Sequence, residues 1–148
     1  MNRTYLLLLV PLALLLLPAA QRSSPPSLQQ TLQANEWKKR VLLVAAPTAE
    51  HPDFRAQKAQ LATAPAQLSA RDFLVIDVLY DQLSPADKNY LTKEIGVQPP
   101  RFATVLIGKD GRVKMKSARP IPLAKLFGTV DQMPMRKQEM QRGVIDTE

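Results

Sequence analysis

Cysteine is absent from this chain of 148 residues. Its absence removes disulfides, thiol–disulfide exchange, cysteine nucleophiles and thiolate metal sites together. Histidine occurs once, as His51, so no recognised zinc spacing exists and no metal is expected. Aromatic residues make up only 5% of the chain, too few for the stacking platforms that hold single-stranded nucleic acid. No specific nucleic-acid partner is expected. The five glycines, at 96, 108, 111, 128 and 143, form neither a dinucleotide fingerprint nor a phosphate loop. No cofactor is expected either. Ser69 and Ser84 lie outside any nucleophile-elbow context.

What is present is basic charge and apolar runs. Twenty Lys and Arg against 13 Asp and Glu give a net charge of +7, which suits anionic partners or surfaces and also serves solubility. Residues 1–20 resemble a signal peptide, with Arg3 in the n-region and an apolar stretch from Leu6 to Leu17. That stretch is short for a membrane span and contains Pro11. Pro18-Ala19-Ala20 is an imperfect cleavage site, so an uncleaved anchor stays open as the one route to a membrane. The mature chain is expected in the periplasm or outside the cell. Residues 21–36 are expected to be a leader with a short helix, residues 37–142 the domain and residues 143–148 a polar tail.

The central feature of the domain is a hairpin. Phe102 to Ile107 is apolar or β-favouring without interruption, the pattern of an inner strand. Gly108-Lys109-Asp110-Gly111 supplies a tight turn, and Arg112 to Lys116 alternates basic and apolar as an outer strand. Before it, Val41 to Ala46 and Phe73 to Leu79 are expected to be buried strands. A helix from Phe54, capped by Asp53 and broken near Pro65, connects them. Ser84-Pro85-Ala86-Asp87 opens a second helix, with Asp87 as a capping-box acid, that stops at Gly96. Leu123 to Gln132 forms a third, and Pro134 restarts a basic helical turn from Met135 to Gln141. Trp37 is expected to pack at the sheet entrance. The order βαβαββα, with right-handed crossovers, predicts an α/β fold: a four-stranded mixed sheet with helices on both faces, thioredoxin-like.

Four segments carry a resemblance. Trp37-Lys38-Lys39-Arg40 with the strand after it, Arg71-Asp72, Val105 to Lys114 and Asp131 to Met140 are similar to domain-of-unknown-function family 4174. Its members are small exported bacterial proteins and repeats in vertebrate sushi-repeat and coiled-coil-domain matrix proteins. The resemblance implies a thioredoxin- or peroxiredoxin-like fold in an extracellular setting, with no established activity. Against thioredoxins, Thr48-Ala49-Glu50-His51 stands where Cys-x-x-Cys would be, and Ala103 stands at the cis-proline position. A trans bond is expected before Ala103, and a dithiol oxidoreductase is excluded.

Three functions follow as alternatives. The first is a redox-inactive binding module that holds a protein or a polyanionic envelope component through the vestigial loop (Thr48, Ala49, Glu50, His51, Ala103) or a basic edge. The second is an enzyme centred on Glu50, His51 and Asp53, where flanking carboxylates would tune the imidazole. Asp53 as a plain helix cap is the structural alternative. The third is a polyanion binder: strict alternation would set Arg112, Lys114 and Lys116 on one strand face, with Lys109 in the turn and Arg119 after the strand extending the stripe. The same cations would also keep an edge strand from pairing with other sheets. Asp77, inside an apolar run, is either a buried carboxylate at the loop end or one turned to water.

Overall fold

The computed structural model describes residues 24–145. The segment expected to be a signal peptide lies outside them. Among the described residues no helix is long and apolar enough to cross a membrane.

The chain begins with α1 (Leu28–Asn35), closed at its start by a Ser27/Gln30 capping box. Next come β1 (Arg40–Ala46), α2 (Pro52–Ala62), α3 (Pro65–Ser69) and β2 (Phe73–Leu79). α4 (Pro85–Tyr90) continues as one π-helical turn, Leu91–Ile95, and ends on Gly96 at φ 76°, a conformation glycine adopts without steric cost. The hairpin β3 (Ala103–Ile107) and β4 (Val113–Ser117) leads to α5 (Leu123–Asp131) and α6 (Pro134–Ile145).

The sheet order is β2-β1-β3-β4, with β1 parallel to β2 and antiparallel to β3. Every residue of β1 is buried, because helices cover both its faces. Leu42, Val44 and Ala46 meet Phe54, Leu126 and Phe127 from α2 and α5. Val41, Leu43 and Ala45 meet Leu28, Leu91 and Ile95 on the α1/α4 side. The thioredoxin-like fold predicted from the element order is the fold observed.

Several local expectations are corrected. β2 is an edge strand rather than a buried inner one, so most of it is half-buried and Asp77 is exposed, held by Lys58 at 2.8 Å. α2 starts two residues earlier than expected, with His51 at the cap position, and Asp53 lies inside its first turn. Ser84 does cap α4, accepting from the Asp87 N–H, but the Asp87 carboxylate accepts instead from the Leu28 N–H at 2.9 Å, tying α1 to α4. Trp37 is 63% exposed: its backbone stands at φ 65° and its N–H donates to the Lys109 carbonyl, which turns the indole outward.

The basic alternation of β4 is interrupted. Val113 pairs with Ile107 and Met115 with Leu106, leaving Lys114 as an extra residue in a β-bulge. One added residue reverses the facing of everything beyond it. Lys114 therefore lies with Thr129 and Met133 on the α5/α6 face, while Lys116 reaches the Ile95 carbonyl on the α4 face at 3.3 Å.

Candidate functional site

The two ends of the sheet have opposite chemistry. β1 and β2 run toward one end, where the chain leaves Ala46 into Thr48-Ala49-Glu50-His51 and Ala103 pairs with Ala45. The His51 ring lies nearly parallel to Phe102, with centroids 5.8 Å apart, and its Nδ1 is buried without a hydrogen-bond partner. Ala49 and Glu50 are exposed. Behind this loop, Gln57 is fully buried and accepts from the Ile121 N–H at 2.6 Å, so the α2 side is closed by a structural bond. Tyr80 donates to the Arg101 carbonyl at 2.7 Å, and burial pushes its hydroxyl pKa up to about 12. The only cis peptide bond among the described residues joins Pro99 and Pro100, and the bond before Ala103 is trans. Among the described residues no group of three or more His, Cys, Asp or Glu could hold a metal ion.

At the other end, about 20 Å away along the strands, a network of charges closes the sheet. Arg40 is the first residue of β1, and its side chain is 1% exposed. Its guanidinium makes a two-pronged pair with Glu139 of α6, at 3.1 and 3.2 Å, and donates to the Arg71 carbonyl at 2.9 Å. Lys109, in the hairpin turn and 10% exposed, bridges Asp72 at 2.8 Å and Glu139 at 2.7 Å. Arg71 grips both oxygens of Asp131, at 2.9 and 2.7 Å, with its guanidinium 4.5 Å from the centre of the Phe127 ring. Arg136 adds contacts to Asp131 and Glu139, and Lys39 one to Asp72.

Cations outnumber carboxylates here: Lys39, Arg40, Arg71, Lys109 and Arg136 against Asp72, Asp131 and Glu139. Two of these carboxylates, Asp131 and Glu139, have their pKa values lowered as a result. Arg71's hydrogen bond sets Asp131 below the usual carboxylate range. Burial alone would push Glu139 up, but the hydrogen bonds from Arg40 and Lys109 outweigh it and hold its pKa low. The same balance holds for Asp110, where burial is outweighed by Lys114 and the Arg112 N–H.

A cavity of about 430 Å³ opens beside this network, with Met133, Pro134 and Met135 on its apolar side and Arg40, Lys109 and Lys114 among its polar lining. Lys114 crosses directly over Gly108: a Cβ there would stand 2.6 Å from Lys114 Cε, so only glycine leaves the lysine its path. The five cations of the expected stripe are thus dispersed. Lys109 and Lys114 border the cavity, Lys116 caps the carbonyls after α4, and Arg112 and Arg119 are exposed at the two ends of β4.

The segments that carried the family resemblance are the segments that build this network. Arg40, Arg71-Asp72, Lys109, Asp131, Arg136 and Glu139 come from four stretches of sequence and meet at one end of the sheet. Residue pairing over such separations is not visible in spacing, so sequence reasoning placed the resemblance there without the site.

Fold and loop together define a class: a thioredoxin/peroxiredoxin-like domain with no thiol at the redox position. Residues 31–139 match the family described as Domain of unknown function (DUF4174), and the chain belongs to that family. It is 25% identical over 144 residues to Coiled-coil domain-containing protein 80 of Danio rerio, an alignment covering 81% of this chain and 17% of that protein. The chain thus spans a small part of this relative's length. Among solved structures it resembles the reduced 2-Cys peroxiredoxin of Plasmodium vivax, with a TM-score of 0.55 and 18% identity over 72% of this chain and 84% of that one. It also resembles thioredoxin peroxidase I of Plasmodium yoelii, with a TM-score of 0.53 and 17% identity over 72% and 79%.

Proposed function

We propose that this protein is an exported binding module that keeps the thioredoxin-like framework and has no redox chemistry. The observation that carries the reading is the contrast between the two ends of the sheet. Where the fold would place reactive thiols there is a sulfur-free loop with His51 laid flat on Phe102. At the opposite end an open, cation-bordered cavity stands beside a cross-linked charge network. Export is supported by the composition of residues 1–20. A polyanion lying along β4 would meet no continuous stripe, because Lys109 and Lys114 border the cavity, Lys116 reaches the carbonyls after α4 and Arg112 and Arg119 stand at the two ends of the strand. The cavity end is therefore the better binding surface.

An enzyme centred on the Glu50-His51-Asp53 loop has one observation in its favour, the buried and unpartnered His51 Nδ1. Glu50 is exposed, Asp53 lies in the first turn of α2, and the ring's stacking contact is with Phe102.

The test combines activity and retention. The processed protein should reduce no insulin disulfides and consume no peroxide with a thiol donor. Immobilised, it should retain a component of its own envelope extract, and Glu50→Gln/His51→Ala protein should retain the same component. Turnover above blank, or a loss of retention in that variant, overturns the reading.

A further inference from the structure

Resting on the binding-module reading, we infer that the cavity beside Arg40 is the binding site, and that its ligand is a small amphiphilic carboxylate with one anionic head and an apolar body. Four features point to it. Arg40, Lys109 and Lys114 line the cavity beside one lining acid, Asp110. Although each is ion-paired, the surrounding cluster sets six cations (with Lys39, Arg71 and Arg136) against four carboxylates (with Asp72, Asp131 and Glu139), so the surplus favours an anionic head group. The remaining surface is largely apolar, from Met133, Pro134 and Met135, so the rest of the ligand must be apolar too. The volume, about 430 Å³, suits a molecule of roughly ten heavy atoms or more.

The fourth feature is independent of shape. Arg40 lines the cavity, is 1% exposed, and its Nε has no hydrogen-bond partner although the rest of its guanidinium is held by Glu139 and the Arg71 carbonyl. A buried donor without an acceptor is costly, and an oxygen entering beside it relieves that cost. Pro134, the first residue of α6, and Gln132, the C-cap of α5, both border the cavity, so the two helix ends offset each other and the attraction rests on the cations. A second concavity, of about 500 Å³ beside α4, has none of this: Lys93 and Glu94 balance in its lining, and neither Arg40 nor His51, which carry the buried unpartnered nitrogens among the described residues, lines it.

The probe is 1-anilinonaphthalene-8-sulfonate, an anion with an apolar body whose fluorescence rises on desolvation, displaced by added competitors. Octanoate should displace it at a single site. Octanamide, with the same body and no charge, and acetate, with the same head and no body, should each require about tenfold more or fail. Thr129→Trp, which fills the cavity, should abolish octanoate-sensitive fluorescence. Lys114→Gln should weaken octanoate about tenfold, because it removes one cation and leaves Asp110 facing the head group. Lys93→Gln, on the far face, should leave the titration unchanged.

Equal displacement by octanoate and octanamide overturns the anion requirement, and equal displacement by acetate overturns the apolar one. Octanoate-sensitive fluorescence that survives Thr129→Trp overturns the site. If octanoate fails while the envelope component is still retained, the ligand class falls and the binding module stands. Thiol-dependent turnover removes the module reading whatever the cavity binds.

Discussion

Replacing Glu139 with alanine probes the network that closes the sheet end. Glu139 holds three cations, Arg40, Lys109 and Arg136. Its loss leaves Lys109 with Asp72 and Arg136 with Asp131, but leaves the buried Arg40 with only the Arg71 carbonyl. Removing one partner of a buried pair costs about 3–5 kcal/mol, chiefly through the charge left stranded. Glu139 is 24% exposed, so water reaches part of the vacated space and the expected loss is about 2–4 kcal/mol. Urea denaturation at pH 7, with the midpoint and slope compared between the two proteins, measures it. The pH dependence supplies a second check. Glu139 has its pKa lowered in the folded protein, so its contribution is present above the unfolded value of about 4.3 and is lost as pH falls through the lower folded value. The gap between wild type and Glu139→Ala should therefore be widest near neutrality and should close in acid. A gap below about 1 kcal/mol at pH 7, or one that persists unchanged in acid, would refute the network's role.

Three further outcomes are expected. Val105→Ala, at a fully buried position paired with Leu43 and Lys116, should lower stability by about 1–3 kcal/mol in the same denaturation, and no change would contradict the hairpin's place in the core. Tyr80→Phe should cost about 1 kcal/mol by losing the bond to the Arg101 carbonyl. Because the folded Tyr80 pKa is raised to about 12, this residue's contribution is present below the unfolded value near 10 and is lost as pH rises through 12, so the variant should lose less stability than wild type over that interval. Gly108→Ala should displace the Lys114 side chain and weaken octanoate binding while changing stability little, since the nearest atoms are the ends of two flexible side chains.

How much of this was legible in the sequence differs by element. The β1 run and the β3 run are continuous apolar stretches because helices cover both faces, and that pattern is readable without a structure. The cap at Ser84 and the stop at Gly96 are local chemistry and were equally readable. β2 looked the same as β1 in sequence, yet it lies at the sheet edge: apolar content does not encode a strand's position in the order. The β4 bulge was invisible because strict alternation from Arg112 to Lys116 carries no mark of an extra residue. The site was the least legible part. Arg40 precedes an apolar strand and follows Lys38 and Lys39, and nothing in that run of cations marks it as the buried one, whereas its partner Glu139 lies 99 positions away. Only the family resemblance touched these residues, and it did so without indicating that they meet.

The central claim is that the end of the sheet bearing Arg40, Lys109 and Lys114 binds, and that the end bearing Thr48 to His51 and Ala103 does not. Amide chemical shifts of the isotopically labelled processed protein, followed as octanoate is added, test it most directly. The account predicts saturable shifts confined to Lys109, Asp110, Lys114, Thr129, Met133 and Met135, with the Thr48–His51 loop and Ala103 unmoved. Shifts centred on His51 and Ala103, with the Lys109 turn silent, would contradict it.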